Sequence, residues 1–471
     1  MIAPLPVSRS PSRSVSLSDL QRCFAGVLPS IITTCSANGV PNVTYLSQIF
    51  RVDERIALSC QFFNKTKQNL AENPFASVQV IDPLTLEMYD LDLRFEHSQT
   101  EGPLFEKMAT RIQAIASHTG MLGVFKLVSA DVFEVLAIRE VEGLIGPPLA
   151  EPDADSDEAP MSLRTELRAL SVVTERLRRA TDLDGLLSTL LDALRDELGF
   201  EHAMLLLPDE TGKRLVSLAS RGYGESGIGA EVSLGDGLIG TVAETKQTIR
   251  ISNVSASLSY GRAVGRTAQD HGAHVPGAEI PLPGLPDAQS QLAIPLSSNG
   301  RLSGVLAVES KNPLGFEEWH ETFLDVIGHQ LASAIENMML RAEAEEAQTT
   351  IARTAPPVAA APAPRVLRLC FYRNDDCVFV DDEYLIRNLP GRILWKILRS
   401  YVDGARAEFS NRELRLDPSL GLPPIKDNLE SRLILLRKRL EQKCPELRLV
   451  PKSRGQFRLE TSCTLSLTEK D

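Results

Sequence analysis

Two proline-rich breaks limit most what this chain can fold into. Residues 146–160 read GPPLAEPDADSDEAP, and residues 346–364 start as a helix tail and run out into an Ala/Pro tract, TAPPVAAAPAP. Neither has a hydrophobic period, and tracts of this composition are extended and solvated rather than packed. They predict three separate cores, over residues 17–145, 161–345 and 365–465, with residues 1–16 as a disordered lead. A length of 471 residues suits about three domains of ordinary size.

Hydrophobic residues make up 43% and charged residues 24% of the chain, so each block can bury a core. No apolar run approaches the ~18 residues a membrane span needs, and the N-terminus has basic residues but no apolar h-region. The seven cysteines form no CxxC pair. An odd, scattered set predicts free thiols in a reducing, cytoplasmic setting and no membrane partner. The net charge of −12 is uneven: from Arg365 to the end there are 21 Lys and Arg against 16 Asp and Glu. A basic tail on an acidic body is compatible with a nucleic-acid reader, although the excess is modest.

The first block is rich in short β-branched and aromatic runs, such as PSIITTCSANG and FASVQVID, punctuated by Asn38-Gly39. KTKQNLAENP reads as a short helix stopped at Asn73-Pro74, and FKLVSADVFEVLAIREV as two closing strands. Many short antiparallel strands predict a small barrel. The middle block opens with leucines at spacings of three and four over LRTELRALSVVTERLRRATDLDGLLSTLLDALRDELGF, expected to be one long amphipathic helix. Five strands and a second long helix follow. Helices at both ends of an antiparallel meander predict an α+β domain, with apolar stripes left over for a homodimer. The last block reads as strands, a helix over GRILWKILRSYVDG, a second near SNRELRLD, a third over KDNLESRLILLRKRLEQKC, and a strand pair.

In that third helix Leu433, Leu436 and Leu440 share one face, leaving Arg432, Lys438, Arg439 and Lys443 to project elsewhere. Downstream, Pro451 to Arg458 form a basic hairpin tip. A helix fits the major groove, and a basic hairpin beside it reaches phosphates or the minor groove. LRKRLE followed by RGQFRLE resembles the winged-helix effector domain of response-regulator-type transcription factors, over about 100 residues. The resemblance implies a double-stranded DNA partner, with Ser431, Arg432, Leu435, Lys438 and Arg439 near the bases and Lys452, Arg454 and Arg458 on phosphates. No phospho-acceptor receiver domain precedes it, so control would come from the other blocks.

The middle block, through Ser233-Leu234-Gly235-Asp236-Gly237-Leu238-Ile239-Gly240 and then LAIPLSSNGRLSGVLAVES, resembles a GAF domain and implies a small-molecule ligand in its pocket. It contains no cysteine, which excludes a thioether-linked bilin, and it lacks the NKFDE set of cyclic-nucleotide binders. Residues 255–290 form a long insertion bearing His271 and His274, two histidines without further ligands in register, so no metal site is expected.

The first block, from about Leu20 to Val141, resembles the FMN-binding split barrel of the pyridoxamine 5′-phosphate oxidase-like superfamily. In that family the turn into a short helix holds the flavin phosphate. Here the segment reads Asn64-Lys65-Thr66-Lys67-Gln68-Asn69-Leu70, with Thr66 where a basic residue is usual. Free N–H groups, a hydroxyl and two lysines suit a phosphate, and Thr44 to Ser47 would line the rest of the cofactor. Related barrels bind heme or F420, or nothing, so FMN, heme and no cofactor all stay open. His97 and His118 are isolated and read as satisfied histidines; no catalytic residue is assigned. The fold class expected is thus multidomain: a split β-barrel, an α+β GAF domain and a winged helix. The leading function is a ligand- or redox-responsive one-component transcriptional regulator. The rivals are a flavin-dependent oxidoreductase with regulatory extra domains, and a scaffold with degenerate pockets.

Overall fold

A computed structural model describes residues 15–46, 48–60, 65–121, 123–124, 126–141, 163–209, 211–223, 227–255, 284–285, 287–348, 365–374, 376–404, 406–420, 429–453 and 455–470. The first block contains β1 (Ser30–Cys35), β2 (Pro41–Leu46), β3 (Ile49–Val52), β4 (Arg55–Cys60), α1 (Lys65–Glu72), β5 (Phe75–Ile81), β6 (Met88–Gln99), α2 (Pro103–His118) and β7 (Ser129–Glu140). Its strands form one seven-stranded sheet in the order β2-β1-β5-β6-β7-β4-β3, antiparallel throughout. Ile32, Ile56, Val78, Leu91, Leu93 and Phe133 fill its interior. The stretch read as two closing strands contains the single strand β7, which runs along β6 through two register shifts and pairs over its first half, Ser129 to Glu134, with β4.

Helix α2 is the element the sequence reading passed over. Gly102 precedes it and Pro103 occupies its first turn, the ordinary grammar of a helix start. Met108, Ile112 and Ile115 follow at spacings of four and three and are buried. They do not face the barrel alone. They share one apolar cluster with Leu238, Ile239 and Val242 of the middle block. At roughly 1.5–3 kcal/mol for each fully buried aliphatic side chain, this shared packing ties the first two blocks together strongly.

The middle block runs α3 (Leu163–Arg178), α4 (Leu183–Leu198), β8 (His202–Pro208), β9 (Arg214–Arg221), β10 (Glu231–Ser233), α5 (Gly237–Thr245), β11 (Ile249–Ile251), β12 (Ser290–Ser298), β13 (Arg301–Ser310) and α6 (Glu318–Gln348). The expected single opening helix is two, α3 and α4. The break comes where the Asp182 carboxylate accepts the Gly185 N–H at 2.8 Å and caps a new helix. The antiparallel sheet has the order β10-β9-β8-β13-β12-β11, with the long α6 packed against β12 and α3 against both α4 and α6.

The last block has β14 (Val366–Tyr372), β15 (Cys377–Val380), β16 (Glu383–Ile386), α7 (Asn388–Gly404), β17 (Glu408–Ser410), α8 (Asn411–Leu416), α9 (Leu429–Lys443), β18 (Leu447–Ser453), β19 (Gln456–Thr461) and β20 (Thr464–Lys470). Helix α8 begins with a complete capping box between Ser410 and Glu413. The run CVFVDDEYL splits into β15 and β16 at Asp381 and Asp382, both at positive φ. A strand not anticipated, β20, closes a four-stranded sheet by pairing in parallel with β14. The β18–β19 hairpin and β17 form a separate three-stranded sheet. No helix among the described residues is long and apolar enough to cross a membrane.

Candidate functional site

Three places in the fold bear on function. The first is the start of α1 in the barrel. Asn42 on β2 lies next to α1 and donates to the Thr66 hydroxyl at 3.0 Å, and Thr44 is half-buried on the same strand. Lys65 and Gln68 are exposed. Behind them Asn69 is fully buried, and its amide donates to Thr34 at 3.1 Å. Lys67 differs from expectation. Its ammonium reaches the buried Asp131 at 2.5 Å and hydrogen-bonds Ser98 and Ser129. A carboxylate 6% exposed in its side chain needs that counter-charge, so Lys67 serves the barrel's own interior rather than an external phosphate. The remaining donors, Lys65 and Thr66 at the head of α1, still fit an anionic group. Ser47 and Asn64 lie outside the described residues.

The second place is the contact between the third helix of the last block and the middle block. Ser431, Arg432 and Leu435 are buried, at 0%, 3% and 6% exposure. The Arg432 guanidinium donates twice to the Pro208 carbonyl, at 3.2 and 3.3 Å. The Lys438 ammonium donates to the Leu218 carbonyl at 3.1 Å and pairs with Asp184 at 2.7 Å. Arg439 lies against Gly229, and Arg387 forms a two-pronged pair with Glu231 at 2.6 and 3.0 Å. The sequence reading expected these α9 residues to face solvent. The correction has a simple physical reason: α9 is apolar on two faces. Leu433, Leu436 and Leu440 fill its own block, while Ile434 and Leu435 need a second cover. Lys452 and Arg458 on the hairpin are exposed, with Lys452 paired to Glu408 at 2.7 Å. Arg454 lies outside the described residues, as do His271 and His274.

The third place is a small cavity on the barrel-facing side of the middle sheet, lined by His118, Leu238, Ile239, Gln291, Ala307, Val308 and Glu309. His118 ends α2 of the barrel, and its Nε2 accepts the Leu238 N–H at 3.1 Å. Gly237, at φ +62°, has no room for a Cβ, which would sit 2.6 Å from the imidazole. Glu309 is 3% exposed. It accepts the Leu285 N–H and the Gln291 amide, both at 2.8 Å, and the Tyr223 hydroxyl. Burial pushes its carboxyl above the ordinary value against those three hydrogen bonds. Nearby, Lys107 of α2 and Arg250 of β11 both pair with Glu321 of α6. Burial opposes its ionisation, yet the two cations hold Glu321 below its ordinary value. The sequence reading missed this group. Glu309 ends an otherwise apolar strand, GVLAVES, which was a usable signal; nothing local marked His118.

Residues 180–336 match the family model described as GAF domain, so the middle block is a GAF domain, of the class that binds small molecules. Residues 20–139 match the family model described as pyridoxamine 5′-phosphate oxidase, and the first block is a domain of that kind. No curated protein matches the chain. Among solved structures, the GAF domain of a phosphoenolpyruvate-protein phosphotransferase from Coxiella burnetii is 22% identical, with 38% of this chain and 98% of that one covered and a TM-score of 0.32. An FMN-binding protein from Syntrophomonas wolfei is 20% identical, with 26% and 86% covered and a TM-score of 0.22. HupZ of Group A Streptococcus is 19% identical, with 27% and 96% covered and a TM-score of 0.23.

Proposed function

We propose that this chain is a ligand- or redox-responsive transcriptional regulator. The oxidase-like barrel and the GAF domain sense, and the C-terminal block is a winged helix that engages double-stranded DNA once α9 leaves the GAF domain. The observation that carries this reading is the α9 contact itself. An output helix with Arg432, Lys438 and Arg439 on one face lies directly on the sheet and helix of a small-molecule-binding domain. The order strands, α7, β17, α8, α9 and the β18–β19 hairpin supports this reading. Base contacts would come from Ser431, Arg432, Lys438 and Arg439 on the freed helix, with Leu435 holding the docked state, and phosphate contacts from Lys452, Arg454 and Arg458. Leu167 of α3 and Leu340 of α6 are exposed and support a homodimer along these helices. FMN would be held through Lys65 and Thr66, with Thr44 and Gln68 beside it.

The test is fluorescence anisotropy of the full chain with duplex DNA across a salt series. Specific binding appears as a competitor-resistant affinity with a steep salt dependence. Affinity indistinguishable from that of an acidic protein without a basic module, both in the full chain and in Leu435→Ala, which loosens α9 from the GAF domain, would reject the regulator reading.

A further inference from the structure

Residues 229–238 of the GAF domain are gripped by a different neighbour at each end. At the start stands the last block. Arg439 lies so close over Gly229 that a Cβ there would sit 3.1 Å from its Nε. Arg387 clamps Glu231 through both carboxylate oxygens, at 2.6 and 3.0 Å. At the other end stands the barrel. The His118 imidazole accepts the Leu238 N–H at 3.1 Å, and Gln113 of the same helix donates to Glu244 of α5 at 2.9 Å.

Between the two grips the chain is short and tightly tied. The Asp236 N–H bonds the Ser233 carbonyl at 3.2 Å, and the Gly235 N–H bonds the Gly240 carbonyl at 2.9 Å. These bonds lock the turn to β10 behind it and to the first turn of α5 ahead. Gly235 and Gly237, at φ +81° and +62°, hold a path that other residues rarely adopt. Strand β10 itself has three residues at the sheet edge, with β9 as its strand partner on one side. Short, weakly supported elements of this kind are the first to yield in a fold. A shift at the head of α5 therefore passes into β10, where Arg387 holds.

We propose that residues 229–238 couple the barrel to the output block: movement of α2 against α5 loosens the seat of Arg387 and Arg439, and with it the docking of α9. The inference rests on the reading that α9 leaves the GAF domain in use, and it names the route by which the barrel controls that step. The two-state element is the output block, docked or undocked, and both ends of the segment bias it.

The experiment is trace lysine acetylation of the full chain without DNA, read by mass spectrometry at Lys438 and Lys67. Both side chains are paired and mostly covered, at 16% and 24% exposure, but Lys438 lies in the output contact and Lys67 in the barrel. His118→Ala removes the acceptor beside Gly237 without crowding it. Lys438 is then expected to react at least about twofold faster, the lower end of what one net hydrogen bond is worth, with Lys67 unchanged. Arg387→Ala raises Lys438 reactivity directly. Adding His118→Ala to it gains less than the product of the two effects, because both act on one segment. Circular dichroism checks folding; if His118→Ala does not fold, Gln113→Ala takes its place. Lys438 reactivity unchanged by the barrel variant overturns the proposal. So does a rise shared equally by Lys67, or two effects that simply multiply. Since DNA is absent, a chain that fails to bind DNA leaves this result standing, and uncoupled domains leave the DNA reading standing.

Discussion

Leu435→Ala separates an output helix held on its sensor from one that merely crowds it. Leu435 lies one helical turn from both Arg432 and Lys438, on the face that meets Pro208, Leu218 and Asp184. It is 6% exposed. Removing a buried leucine side chain loses about 1.5–3 kcal/mol. Because the contact joins two domains, the loss falls on docking and not on the core of the last block, which Leu433, Leu436 and Leu440 retain. Docking weakens by roughly 10- to 150-fold. If DNA binds only the undocked form, apparent affinity rises by that factor until the helix is fully free. The assay is DNA anisotropy of the full chain, with thermal unfolding recorded in parallel. Asp184→Asn is the companion on the GAF side: it removes a half-exposed ion pair worth about 0.2–1 kcal/mol, so its effect has the same direction and is smaller. Unchanged DNA affinity in both variants, with both folded, refutes the reasoning. So would a larger effect from Asp184→Asn than from Leu435→Ala.

Other expectations follow from single contacts. His320, stacked on Trp319 with ring centres 3.6 Å apart, accepts the Glu317 N–H; burial, and then Arg250, lower its pKa from 6.5 to about 4. The unfolded chain therefore binds the proton first, and stability falls as pH drops from about 6.5 toward 4, by up to about 3 kcal/mol; His320→Gln flattens the slope of melting temperature against pH in that window. Gly237→Ala pushes a methyl into His118 at a positive φ and lowers the melting temperature, and pairing it with His118→Ala recovers part of the loss. Lys67→Met strands Asp131 in the barrel interior and destabilises the flavin-free protein by about 3–5 kcal/mol, measured by urea denaturation. A phosphate-binding role alone would leave flavin-free stability untouched.

Much of the architecture could be read from the chain because strands and amphipathic helices announce themselves through local period. The GAF glycines, the Asn-Leu and Asn-Pro frame of α1 and the basic hairpin after α9 are all short-range signals. What escaped depends on partners far away in sequence. The α9 face carrying Ile434 and Leu435 resembles a reading face until β9 and α4 are placed against it, and a lysine beside a phosphate-type turn resembles a ligand until Asp131 arrives from β7. The α3–α4 break was legible in Asp182 and was overridden by the leucine count. His118 had no local mark at all, since its role exists only once α2 meets α5.

The shared cluster of α2 and α5 also bears on how this protein can be taken apart. A composition break at residues 146–160 marks a boundary in the sequence, but Met108, Ile112 and Ile115 lie in the same apolar interior as Leu238, Ile239 and Val242. A fragment cut at that boundary would carry half of an interior onto its surface, as a patch prone to self-association. The smallest piece that keeps its interior whole spans both the barrel and the GAF domain, and calorimetry of that piece should show one melting event rather than two.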